Sequence, residues 1–202
     1  MDAQKTTCPQ NSVSACPTGD HPWPEDPVPT KRIPCLSCPL ATTGSRIVWG
    51  EGNKAADVWI LLDNPGLREG RSGKPFVCGT RQTLHRTAAE HGYSEQDIYV
   101  TFVVRRRPTR RYPKDMERQM CMENFHKQLR PDGPRIVFAM GDVALSALME
   151  AEAHVRDMRG RVHTWRDRIL IATYHPLAVR RRPNLEKHWQ EDWRLLQELD
   201  KP

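Results

Sequence analysis

Four short apolar runs, Ala56 to Leu62, Ile98 to Val104, Arg135 to Met140 and Ile169 to Tyr174, constrain this chain more than any other feature. Each is rich in β-branched or aromatic residues and nearly continuous, the pattern of central strands covered on both faces. A strand with one wet face would alternate instead. Helical periodicity fills the intervals at Arg81 to His91, Lys114 to Leu129 and Asp142 to Met149, and a last helix runs from Asn184 to Leu199. Pro113 supplies a helix start, and Asn184, after Pro183, an N-cap. Strands alternating with helices predict an α/β fold, a three-layer α/β/α sandwich with a central, mostly parallel four-stranded sheet. Ligands of such sheets bind beyond the carboxyl ends of the strands. That rule singles out the loops after Leu62, Val104, Met140 and Tyr174.

A length of 202 residues with 38% hydrophobic content fits one such domain, here residues 35–202. Residues 1–34 are rich in Pro, Thr, Ser and Asp without apolar periodicity, and are expected to form an N-terminal arm. The net charge of +6 comes from 31 basic residues, many clustered, as in Arg105-Arg106-Arg107, Arg110-Arg111 and Arg180-Arg181-Arg182. Clustered Arg suits phosphate, so DNA is the expected partner. No stretch approaches the roughly 20 apolar residues of a membrane span, and no apolar signal core opens the chain, so a cytoplasmic monomer is expected. In that compartment the 6 Cys argue for a metal, a cluster or simple burial rather than for disulfides. No Gly-rich phosphate loop follows a strand, which removes support for a nucleotide-binding protein.

Two loops carry chemistry-bearing residues. After the first strand comes Asp63-Asn64-Pro65-Gly66, followed by Gly73-Lys74-Pro75-Phe76-Val77-Cys78; after the last comes Tyr174-His175-Pro176-Leu177. With Cys35-Leu36-Ser37-Cys38, Arg107-Pro108, Cys121 and Gly141, they form an ordered set that resembles the uracil-DNA glycosylase superfamily, most closely its family 4, from Cys35 to Pro183.

The resemblance implies a base-flipping enzyme that hydrolyses an N-glycosidic bond. Such cleavage passes through an oxocarbenium-like sugar, so water must be held near C1′ and negative charge stabilised on the departing base. The resemblance makes His175 the stabiliser of that charge, a task of electrostatic preorganisation. Asn64 holds the water, as in branches with an Asn-Pro-Gly loop, with Asp63 as electrostatic partner; Asn before Pro-Gly is also good turn chemistry. Phe76 is the stacking platform for the flipped base, with Pro65, Gly66, Cys78 and Phe102 also at the base. Leu177 to Val179 match the segment that wedges into the vacated stack, and Lys74, Arg107, Arg110, Arg180, Arg181 and Arg182 supply DNA contacts.

Three departures bear on the substrate. Phe102 stands where family 4 carries the Asn whose amide reads uracil, and a Phe lacks that paired donor and acceptor. Cys78 replaces a Gly, and Asp63-Asn64 alters the catalytic loop itself. Retained catalytic loops with a lost uracil reader resemble antiviral members of the superfamily that remove glucosylated 5-hydroxymethylcytosine from phage DNA. An ordinary uracil-DNA glycosylase of base excision repair and a catalytically inactive DNA-binding module are the alternatives.

Family 4 holds a [4Fe–4S] cluster on four thiolates. Cys35, Cys38 and Cys121 match three of these, while Arg106 occupies the fourth position, leaving Cys16 or Cys8 of the arm as a replacement. Zinc on the same ligands and plain burial of Cys121 remain open. The hydrolysis itself needs no cofactor.

Overall fold

The computed structural model describes residues 22–30, 38–67, 79–108 and 114–201. The expected three layers are present. Strands β1 (Glu51–Gly52), β2 (Val58–Leu62), β3 (Ile98–Phe102), β4 (Ile136–Met140), β5 (His163–Trp165) and β6 (Arg168–Thr173) form one sheet in the order β1-β3-β2-β4-β6-β5. The four central strands are parallel, with Val58 opposite both Ile98 and Ile136, and Ile136 opposite Ile169. β1 and β5 add antiparallel edges, so the sheet has six strands where four were expected. Both edges are too short for a continuous apolar run, which is why their sequence carries no strand pattern.

Helices α1 (Gly79–Glu90), α2 (Lys114–Gln128), α3 (Asp142–Met149), α4 (Val155–Met158), α5 (Pro176–Arg181) and α6 (Glu186–Asp200) cover the sheet. Side chains of a strand alternate between faces, so each central strand feeds two cores. Ile60, Leu62, Val100, Phe102 and Phe138 pack with Leu84 of α1 and Trp189 and Trp193 of α6. Trp59, Leu61, Tyr99, Val137 and Ala139 pack with Phe125 of α2 and Leu145 of α3. This two-sided burial explains the unbroken apolar runs. Among the described residues no helix is long and apolar enough to cross a membrane.

Two local expectations change. Asn184 does not cap α6; it sits in a 3-10 turn over Pro183–Leu185, and Leu185 precedes the helix. Pro113 lies outside the described residues. Part of the supposed arm belongs to the core: Trp23 is 3% exposed and stacks on the His85 ring at 4.1 Å, while Glu25 bridges to Glu51 beside the β1 edge. One aromatic is enough to anchor this stretch, an effect that composition averaged over residues 1–34 conceals. Trp23→Ala should cost about 3–5 kcal/mol in chemical denaturation. A change within about 0.5 kcal/mol would mean that the segment does not pack as described.

Candidate active site

The parallel register brings the tips of the β2 and β6 loops together. Pairing continues past the strand ends, as Val103 N–H donates to Leu62 O at 2.8 Å and Val104 N–H to Asp63 O at 3.0 Å. Asp63 is thereby fixed beside β3. Across the edge, Pro176 starts α5 with no N–H to satisfy, and His175 caps it: Leu177 N–H donates to His175 Nδ1 at 3.1 Å. With Nδ1 accepting, the ring proton sits on Nε2. That atom is buried 3.2 Å from Asp63 Oδ1, a contact not aligned as a hydrogen bond, so among the described residues Nε2–H has no aligned acceptor.

Asp63 Oδ1 also accepts from Asn64 N–H at 2.6 Å. Burial pushes the Asp63 carboxyl up, but His175, the Asn64 amide and Arg107 outweigh it and hold the group below its ordinary value. Asp63 is therefore ionised at neutral pH. Asn64 Nδ2 donates to Pro65 O at 2.9 Å, and Arg107 Nη1 donates to the same oxygen at 3.4 Å. The Asn64 amide nitrogen is thus engaged within the turn, and Oδ1 is the acceptor of that side chain. Gly141, after β4, closes the group: its φ is +96°, and a Cβ there would meet His175 Cβ at 3.1 Å. Asp63, Asn64, Pro65, Arg107 and His175 thus lie together at this edge of the sheet.

The His175 loop is braced from below. Thr173 Oγ1, at the end of β6, donates to Asp192 Oδ2 of α6 at 2.8 Å, and Arg159 grips both Asp192 oxygens at 2.9 and 3.1 Å. Asp192 is fully buried, and that burial raises its carboxyl above the usual range despite Arg159 and Thr173. Residues 159, 173 and 192 are far apart in the chain, and no local pattern announces their meeting.

A second buried cluster lies behind Phe102. The Phe102 ring is 1% exposed at the end of β3, and the Arg81 guanidinium of α1 sits 5.1 Å from its centroid. Arg81 pairs with Glu51 of β1, and His85 Nε2 lies 2.7 Å from the same Glu51 oxygen. Gly79, at the start of α1, leaves room for the Arg180 guanidinium, so α1 and α5 meet beside the site. Residues Arg81 and Glu51 were not expected there, because their pairing depends on the short β1 edge.

Arg180, Arg181 and Arg182 are exposed and Leu177 is half-buried, whereas Val179 is buried in the core and cannot wedge into a DNA stack. Arg105 leaves the supposed phosphate cluster too: it is buried, bonded to Cys121 O and Gln128 Oε1, and stacked over Trp49. Lys74, Phe76, Cys78, Arg110, Cys16 and Cys35 lie outside the described residues.

Cys38 and Cys121 are both buried thiols in the α2-side core. Burial pushes the Cys38 thiol up, with Cys121 and Glu117 adding to it while the Leu40 amide and Arg106 oppose. Glu117, one helical turn before Cys121, is fully buried, and neither of its oxygens is hydrogen-bonded among the described residues. Arg106 instead donates to Ser45 O and cannot ligate a metal. Among the described residues no three His, Cys, Asp or Glu side chains group closely enough to hold a metal ion.

Comparison with known proteins agrees with this geometry. A family model described as the uracil DNA glycosylase superfamily matches residues 49–197. The type-4 uracil-DNA glycosylase of Pyrobaculum aerophilum is 32% identical over 167 residues, covering 78% of this chain and 85% of the relative. That of Archaeoglobus fulgidus is 29% identical over 183 residues, covering 86% and 92%. The one from Saccharolobus solfataricus is 32% identical over 175 residues, covering 81% of each.

The lowered Asp63 value fixes the sign of a pH effect. Its ionisation contributes stability that is complete above the unfolded value of about 3.9 and is lost as pH falls through the folded one. Relative to Asp63→Asn, the unchanged protein should hold a constant stability difference above about pH 5 and lose it in acid. A difference that grows on acidification would contradict the pairing.

Proposed function

We propose that this chain, which belongs to the uracil-DNA glycosylase superfamily and is a DNA N-glycosylase, acts on a modified pyrimidine, glucosylated 5-hydroxymethylcytosine of phage DNA. It hydrolyses the N-glycosidic bond and leaves an abasic site, which in phage DNA is a means of defence. The observation that carries the substrate assignment is Phe102, a buried ring at the strand end, where the resemblance to family 4 leads one to expect an amide. An apolar ring removes the donor and acceptor that make uracil distinguishable. The altered Asp63-Asn64 loop supports the same reading.

The reaction needs three things from these residues. The Asn64 Oδ1 acceptor orients a water towards C1′. The Asp63 carboxylate supplies negative charge beside the oxocarbenium-like sugar. His175 Nε2–H meets the pyrimidine O2, where the electron pair of the breaking C1′–N1 bond accumulates. The water oxygen bonds to C1′ as the base departs, and a water proton ends on the base. The contact between His175 and Asp63 keeps the imidazole at the edge before DNA arrives. Exposed Arg180, Arg181 and Arg182 hold phosphates, with Arg107 at the catalytic loop.

An iron–sulfur cluster on Cys35, Cys38 and Cys121 with a fourth ligand from Cys16 belongs to the proposal, supported by the shared burial of Cys38 and Cys121; zinc on these thiolates is the alternative. Such a group would serve structure rather than the hydrolysis. The printed names of the relatives favour a second reading, excision of uracil.

Asn64→Ala and His175→Ala should each lower abasic-site formation by about 10²–10³-fold, the range for loss of one preorganised group, with duplex affinity unchanged. Duplexes carrying uracil and duplexes carrying the glucosylated base, incubated in parallel, test the substrate. Cleavage of uracil alone would sink the substrate assignment, full abasic-site formation in both variants would sink the roles given to Asn64 and His175, and binding without release of either base would make the chain a DNA-binding module.

A further inference from the structure

His175 is held from two directions, and both lead to Arg159. Along the first, Gly141 lies close against the His175 Cβ, and the next residue, Asp142, accepts the Val155 N–H at 2.8 Å. Val155 opens α4, and Arg159 caps its other end, with Arg159 N–H donating to Val155 O at 2.8 Å. Along the second, Thr173 Oγ1 donates to Asp192 Oδ2, and the Arg159 guanidinium grips both Asp192 oxygens. Thr173 O accepts from Gly141 N–H at 2.8 Å, so the two routes also join at the sheet. The contacts close a ring around the His175 loop. Arg159 links its halves, and further donors of the same guanidinium reach His188 O at 2.9 Å and Glu191 Oε2 at 3.0 Å on α6.

We propose that Arg159 is a positioning residue that aims the His175 imidazole at the departing base. The inference rests on the base-excision reading above. Strand pairing already fixes the backbone at the end of β6, where Thr173 lies opposite Met140. A buried ion pair is often no more stabilising than apolar residues of similar volume, because desolvation offsets the attraction. Neither the strand end nor overall stability therefore accounts for the Arg159–Asp192 pair. What the pair adds is direction. A guanidinium is a rigid planar fork, and its two-point grip fixes the plane of the Asp192 carboxylate, hence the one place where the Thr173 hydroxyl finds its acceptor. His175 needs such a frame, because a donor aimed at charge that develops only during bond cleavage loses up to about 10²-fold in rate when it is misplaced by about 1 Å. The effect of Arg159 passes through His175, which sets it apart from a residue that only stabilises the fold.

Single-turnover base release and duplex affinity are measured for the unchanged protein, Arg159→Lys, His175→Ala and the double variant. The duplexes carry glucosylated 5-hydroxymethylcytosine and, in parallel, uracil. Lys keeps the charge and loses the fork. Arg159→Lys should slow release by about 10- to 10²-fold with affinity unchanged. In the His175→Ala background the same substitution should change the rate by less than about twofold, because the two residues act as one unit. A fall by the same factor in both backgrounds, or no fall in the single variant, would overturn the inference. If thermal melting shows that Arg159→Lys does not fold, Thr173→Val and Thr173→Ser take its place. The first should slow release only where His175 is present and the second should retain the rate; equal rates for the two would count against the proposal. The His175 ring protons in NMR spectra, assigned by their loss in His175→Ala, give a readout that needs no substrate. They should shift in Arg159→Lys or Thr173→Val, and unchanged resonances would refute the positioning role whichever base is released. Shifted resonances without release of either base would instead refute the base-excision reading and leave the positioning role standing.

Discussion

Parallel pairing of four buried strands is the constraint on which the site depends. It sends the chain back through helices on either face, so the loops after β2, β3, β4 and β6 open at one edge. Asp63 and His175 belong to strands separated by β4, yet their side chains meet at 3.2 Å. The meeting requires Gly141 between them, because any side chain at that position would push against the His175 Cβ. Sheet register, a glycine and a helix cap together place one carboxylate and one imidazole.

Buried polar contacts then stiffen the edge from both sides. On the His175 side the Thr173, Asp192 and Arg159 contacts tie the end of β6 to α6. On the opposite side Glu51 and Arg81 tie the β1 edge to α1. Breaking a buried pair by removing one partner costs about 3–5 kcal/mol, so each network resists local rearrangement. A catalytic geometry that must tolerate base flipping gains from such rigid support.

Much of this was legible in the sequence, and the rest was hidden for physical reasons. The central strands and long helices could be read because double-sided burial and helical periodicity write themselves into consecutive residues. Asp63, Asn64 and His175 could be read because loop tips at strand ends are contiguous motifs. The edge strands β1 and β5 were not visible, since two or three residues carry no pattern. Arg81, Glu51, Arg159 and Asp192 were missed because each finds its partner only through the tertiary fold. Arg105 and Val179 misled in the opposite direction: a basic run and an apolar wedge segment each contain a residue that faces the core. Their neighbours differ: Arg107 reaches Pro65 O, and the Arg180 guanidinium lies over Gly79.

Phe102, a buried ring at the end of β3, is the residue on which the proposed substrate rests. Mass spectrometry of the free base released when the protein is incubated with a mixture of glucosylated phage DNA and uracil-containing DNA tests that claim most directly. Intact glucosylated 5-hydroxymethylcytosine is the predicted product. Uracil as the sole released base would contradict the account.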